Sequence, residues 1–111
     1  VTEFRRVLFR SVKASTDSVS KAAAEAAANM PADFRVSITN AAGAGVYPIS
    51  SFTWLLLYEQ PQDVKTSAMM VDFVKWALGD GQQFAAELGY APLPRNVVDL
   101  EMAALQKIKV G

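Results

Sequence analysis

The chemistry open to this chain is that of oxygens and a few cations, because its 111 residues include no cysteine and no histidine. Thiolate nucleophiles, imidazole bases and the usual zinc sites are therefore excluded. No serine lies in a nucleophile-elbow pattern, and none has a histidine to activate it. Asp72, Glu87, Asp99 and Glu101 fall on polar faces of predicted helices and read as solvated charges, not as an acid–base pair. No acidic run has EF-hand spacing. Gly43-Ala44-Gly45 has the composition of an anion-cradling loop. Such a loop normally opens a helix; here an extended proline segment and an apolar run follow, so a plain flexible turn is the simpler reading. Ser50, Ser51 and Thr53 could donate hydroxyls to an oxyanion, but short hydroxyl side chains more often bond neighbouring backbone. Trp54 and Trp76 are expected in the core, not as stacking platforms. Lys65, Lys75, Lys107 and Lys109 are scattered and read as surface. Nothing in this set makes an enzyme, and no cofactor or metal site is expected.

The elements that would position these residues follow from periodicity. Ser15-Thr16-Asp17 supplies N-cap oxygens for an alanine-rich helix over 17–30, with Val19, Ala23, Ala26 and Met30 on one face and Pro31 ending it. Phe34-Arg35-Val36-Ser37-Ile38 alternates apolar and polar residues, the signature of a half-buried strand. Asn40 to Gly45 is turn-prone, and Tyr47-Pro48-Ile49 is extended around its proline. Ser51 to Tyr58 is β-rich and almost continuously apolar, which predicts a strand buried on both faces. Asp63 can cap a helix over 64–78 whose stripe is Met70, Phe73, Val74 and Ala77, widened by Trp76. Gly79 suits a left-handed cap, a short helix runs from Asp80 to Leu88, and Gly89 closes it. Pro92 and Pro94 keep the next stretch extended. Asn96 then caps a last helix to about Ile108, with Val98, Met102, Leu105 and Ile108 on one face. Two strands cannot make an independent sheet with buried faces, so the pattern predicts apolar surfaces that need polypeptide this chain does not contain.

Composition narrows the class. Half the residues are apolar and a fifth are charged, and the charges cancel to a formal net of zero. That balance gives no electrostatic footprint for nucleic acid or for an anionic membrane surface. No apolar run approaches the roughly 20 residues that span a bilayer. The first eleven residues read as foreign. They are rich in arginine (Arg5, Arg6, Arg10), whereas only Arg35 and Arg95 follow. The run from Glu3 to Ser11 looks like the translation of a common short-read sequencing adapter, and residues 1–11 are expected not to be native. The absence of a secretory signal then does not argue for the cytoplasm.

Several motifs resemble a known family in their order and spacing. Asp33-Phe34-Arg35-Val36-Ser37-Ile38-Thr39-Asn40, followed by Gly43 through Trp54, resembles the late crossover region of periplasmic phosphate-binding proteins, the receptors of ABC-type phosphate importers. Phe73-Val74-Lys75-Trp76-Ala77-Leu78 resembles their Phe-x-x-Trp-Ala helix. Gly89-Tyr90-Ala91-Pro92-Leu93-Pro94 and the residues after it resemble their Gly/Asp-Tyr-Ala-x-Leu-Pro ending and last helix. The resemblance implies an α/β chain, a C-terminal fragment of a type II periplasmic-binding-protein fold: residues 12–40 ending the second lobe, 41–53 the returning hinge crossover, and 54–111 the C-terminal part of the first lobe. It implies hinge or structural roles for Gly45, Tyr47, Pro48, Ser50, Ser51, Trp76, Gly89, Pro92 and Pro94. It implies inorganic phosphate and a membrane permease as partners of the intact protein, no nucleic acid, no insertion in the membrane, and a periplasmic or lipid-anchored extracellular location. The family's phosphate-contacting motifs are not found here, so no phosphate-binding residue is assigned, and Arg35 lies outside the matching motif. Two other readings compete: a related binding-fold module for sensing or adhesion, and a small helical interaction domain without a ligand.

Overall fold

A computed structural model describes residues 12–111. The expectation that residues 1–11 are not native lies outside the described residues. Helix α1 spans Thr16–Ala26 and tightens into a 3-10 turn over Ala27–Asn29. Helix α2 spans Val64–Leu78 and is followed by a 3-10 segment, Asp80–Phe84. Helix α3 spans Arg95–Leu105.

Local chemistry sets most of these ends. Ser15 is the N-cap of α1: its hydroxyl accepts the Ser18 N–H, and the Ser18 hydroxyl accepts the Ser15 N–H, a capping box built from two serines. Asp63 caps α2 through the Thr66 N–H at 3.0 Å and the Thr66 hydroxyl at 2.6 Å. Helix α3 starts at Pro94 with no side-chain cap. Asn96, the expected cap, sits one residue inside the helix, where its Oδ1 accepts the Val97 N–H and its Nδ2 donates to the Ala24 carbonyl of α1. Gly89 has φ +80, the left-handed geometry expected of it. Gly79 does not: its φ of −96 and ψ of −106 are not left-handed, and its N–H instead closes on the Lys75 and Trp76 carbonyls.

The expected α/β architecture is corrected by the structure. Among the described residues there is no strand and no sheet, and the regular elements are all helical. The two segments predicted as strands do not pair with each other. Along Phe34–Ile38 burial alternates as a strand's would, Ile38 being buried and Arg35 and Ser37 exposed. Phe34, however, has φ +60, which turns the chain back on itself, and the Val36 N–H closes onto the Phe34 carbonyl. The segment 51–58 is irregular and largely exposed, not buried on both faces. The physical reason is that a strand's backbone groups need a neighbouring strand. A single Trp54 Nε1–H donating to the Phe34 carbonyl at 2.9 Å is the link that forms instead.

What core there is lies in two places. Ala22 of α1, Ile38 and Val46 form a buried cluster, with Ala26, Ala41 and Phe52 packed on it. Val97 and Leu105 of α3 and Val71 and Leu78 of α2 are also buried. The α2 stripe is therefore shifted from expectation: Met70 and Phe73 face outward, while Val71 and Leu78 are covered. Two hydrogen bonds tie α1 to the stretch around α3: Ser20 Oγ to the Pro92 carbonyl at 2.6 Å, and Asn96 Nδ2 to the Ala24 carbonyl at 3.3 Å.

Candidate functional site

The turn from residue 39 to residue 50 gathers four of the nine residues singled out in the sequence, Gly45, Tyr47, Pro48 and Ser50, and α1 holds it in place. The Tyr47 N–H donates to the Ser18 carbonyl of α1 at 3.0 Å, and the Asn40 N–H donates to the Pro48 carbonyl at 2.6 Å. Ser50 is buried, with its hydroxyl donating to the Tyr47 carbonyl at 2.7 Å, and the Thr39 hydroxyl donates to the Ser50 carbonyl at 3.3 Å. Asn40, Gly43 and Gly45 all have positive φ. At Gly43 the position of an added Cβ would also meet Val46 at 3.2 Å and a Glu25 carboxylate oxygen at 3.3 Å, so glycine is required twice over.

This environment does not resemble an anion cradle. The carboxylate of Glu25 borders the first glycine. Beside the second stands Lys21, whose ammonium already pairs with Asp17 at 3.1 Å. Ser51 turns its hydroxyl to the Phe52 carbonyl and lies exposed, apart from buried Ser50.

The remaining singled-out residues do not join this turn. Pro92 and Pro94 precede α3, and the extended stretch between them is held by the Gln82 side chain, which accepts the Leu93 N–H at 2.7 Å and donates to the Ala77 carbonyl at 2.8 Å. Gly89 lies at an exposed turn. Trp76 is in an aromatic row with Phe73 and Phe84, at centroid separations of 5.9 and 6.2 Å, and it packs against Gly81. It is about half exposed, as is Trp54, so neither indole is the core residue expected. The reason is the same for both: each ring is apolar on a surface with no covering layer.

Charged groups are mostly at the surface. Arg35 Nε donates to Asp33 Oδ2 at 2.7 Å, and this hydrogen bond, with the Arg35 N–H and the nearby charge, holds the Asp33 carboxyl below its usual range. The guanidinium is thereby engaged by a carboxylate two residues away. Glu101, read from sequence as a solvated charge, is partly buried on α3, and desolvation raises its carboxyl above the usual range. Among the described residues no three His, Cys, Asp or Glu side chains converge to hold a metal ion.

One concavity among the described residues is apolar. A groove of about 370 Å³ runs between residues 55–57 and α2, walled by Leu55, Leu57, Met69, Met70, Phe73 and Val74, with Thr66 its one polar neighbour. Sequence reasoning expected uncovered apolar surface, but not that the 55–57 strip and α2 would form a groove between them. It also missed Ser18, Ser20 and Gln82 as fasteners. Only the Ser15-x-x-Ser18 spacing signalled any of them.

The chain is 39% identical over 87 residues to the phosphate-binding protein PstS of Xylella fastidiosa strain Temecula1, a match that covers 78% of this chain and 24% of that protein. The PstS proteins of Haemophilus influenzae and Pasteurella multocida are 33% and 31% identical over the same length, with 26% and 25% of their own lengths covered. Over the matched stretch the chain is similar to PstS phosphate-binding proteins. It spans about a quarter of the length of these relatives. No family model matches it, and no solved structure does. None of its described helices is long and apolar enough to cross a membrane.

Proposed function

We propose that the chain is part of a substrate-binding receptor for inorganic phosphate, a non-enzymatic subunit of an ABC importer that works in the periplasm and delivers its ligand to a membrane permease. The observation that carries this reading is the sequence identity to PstS proteins across most of the chain. Within such a receptor this stretch contributes scaffold, and the phosphate contacts come from elsewhere. Two features of the site support that division. The Gly43–Gly45 turn faces a carboxylate and an ammonium already paired, and Arg35 is held by Asp33. The turn over residues 41–53, with Gly45, Tyr47, Pro48, Ser50 and Ser51, is proposed as the segment that links the moving parts when such a receptor closes on its ligand.

The test is a chimera. The matched residues of the Xylella PstS protein are replaced by their counterparts from this chain, and phosphate binding is measured by calorimetry. The expected result is a single phosphate site with affinity within about tenfold of the parent, a difference of ~1.4 kcal/mol. A folded chimera that does not bind phosphate would overturn the assignment. The 111-residue chain alone is expected to give no saturable heat, and a saturable micromolar phosphate site in it would contradict the scaffold role.

A further inference from the structure

Glu101 stands on the wrong side of α3. Val97 and Leu105, one helical turn before it and one after, are buried, and Val98 and Met102 are half-buried. Residues at that spacing share one face of a helix. Glu101 is therefore in the middle of the stripe that α3 turns to α1 and α2, the helices it packs on, while Leu100 beside it is exposed. This is the side of α3 that the chain itself covers, away from its open apolar surface. No cation answers the carboxylate. Helix α1 carries Asp17, Lys21 and Glu25, its 3-10 turn carries no charge, and α2 carries Lys65, Asp72 and Lys75. Lys21 pairs with Asp17, and within α3 Arg95 pairs with Asp99. Among the described residues no ion pair or hydrogen bond reaches the Glu101 side chain. No fully buried side-chain oxygen among them lacks a partner, so the Glu101 carboxylate keeps some contact with water and can titrate. Burial without a counter-charge disfavours the ionised form, and that is the direction found for Glu101.

We propose that Glu101 makes the seating of α3 pH-sensitive: the helix docks more firmly on α1 and α2 when this carboxyl is protonated and loosens as it ionises. The Ser20–Pro92 and Asn96–Ala24 hydrogen bonds, which fasten α1 to the start of α3, weaken with it. A carboxyl whose folded-state value lies above its unfolded value contributes stability that is complete below the unfolded value, here near 4.5. That contribution is lost as pH rises through the folded-state value.

The experiment follows the full 111-residue chain and its E101Q variant from about pH 4.5 to about pH 7.5, a range in which an ordinary glutamate is already largely ionised. The Glu101 carboxyl is titrated by carbon NMR, α3 amides by hydrogen exchange, and stability by thermal unfolding. The expected result is a carboxyl that titrates above the ordinary glutamate value, with the amides of residues 97–105 losing protection as it ionises. Over the same range the parent is expected to lose melting temperature while E101Q, with no group to ionise, keeps most of its own. Parent and E101Q sharing one pH profile would overturn the proposal. So would a Glu101 carboxyl titrating at or below the ordinary value, a measurement on the parent that stands even if E101Q does not fold.

Discussion

Asn40 and Phe34 carry the backbone through left-handed angles, φ 55 and φ 60, that most side chains resist. At Asn40 this conformation delivers the N–H to the Pro48 carbonyl and so closes the turn against α1. Asparagine tolerates the region because its short side chain crowds the following carbonyl less than a branched one does. Asn40→Val is expected to cost ~1–2 kcal/mol by forcing a β-branched residue into the left-handed region. Asn40→Gly should remain within about 0.5 kcal/mol of the parent, because glycine adopts the angle freely but loses more entropy on folding. Thermal unfolding of the three proteins checks this. Equal losses from valine and glycine would mean that the side chain's contacts, not the backbone angle, hold the turn.

At the scale of the element, α2 shows what a sequence can specify by itself. Asp63 was legible as its cap, and the helix begins at the next residue and ends at Leu78 as periodicity predicted. The Thr66 side chain and N–H hold the Asp63 carboxyl below its usual range. The resulting stabilisation is fully present above the unfolded-state value near 3.8 and is lost as pH falls through the lower folded-state value. Helicity at 222 nm should therefore decline below about pH 4 in the parent. Asp63→Asn, which retains a good capping oxygen without a titrating group, should flatten that part of the curve; an unchanged acid limb in this variant would assign the loss to other carboxylates. The predicted strands fared differently. Alternation along Phe34–Ile38 correctly marks which side chains are covered, but whether an alternating segment becomes a strand depends on a partner at another place in the chain, and local residues do not encode that partner's presence. The same dependence explains the site. The turn at residues 43–45 was legible from its glycines, and uncovered apolar surface was legible from two strands too few to make a sheet; the groove's place between the strip and α2 was not.

The molecule as a whole is extended. Its radius of gyration is 16.2 Å, with principal extents of 55, 28 and 19 Å, whereas a close-packed domain of this length measures about 13 Å. Among the described residues the fully covered apolar side chains are few and mostly small, with Ile38, Val46 and Val97 the largest. The α1 turn cluster and the α2–α3 contact are bridged through α1 and α3, where Ser20 and Asn96 provide hydrogen bonds. Unfolding this chain should therefore expose little surface beyond what the native state already exposes. The slope of stability against urea scales with that newly exposed surface and is ~1–3 kcal/mol/M for small proteins. Here it is expected at or below ~1 kcal/mol/M, in a broad transition. A steep transition with a slope in the upper half of the usual range would mean that the folded chain covers Leu56, Tyr58 and Phe73 in solution. The open surface from which the groove follows would then not exist.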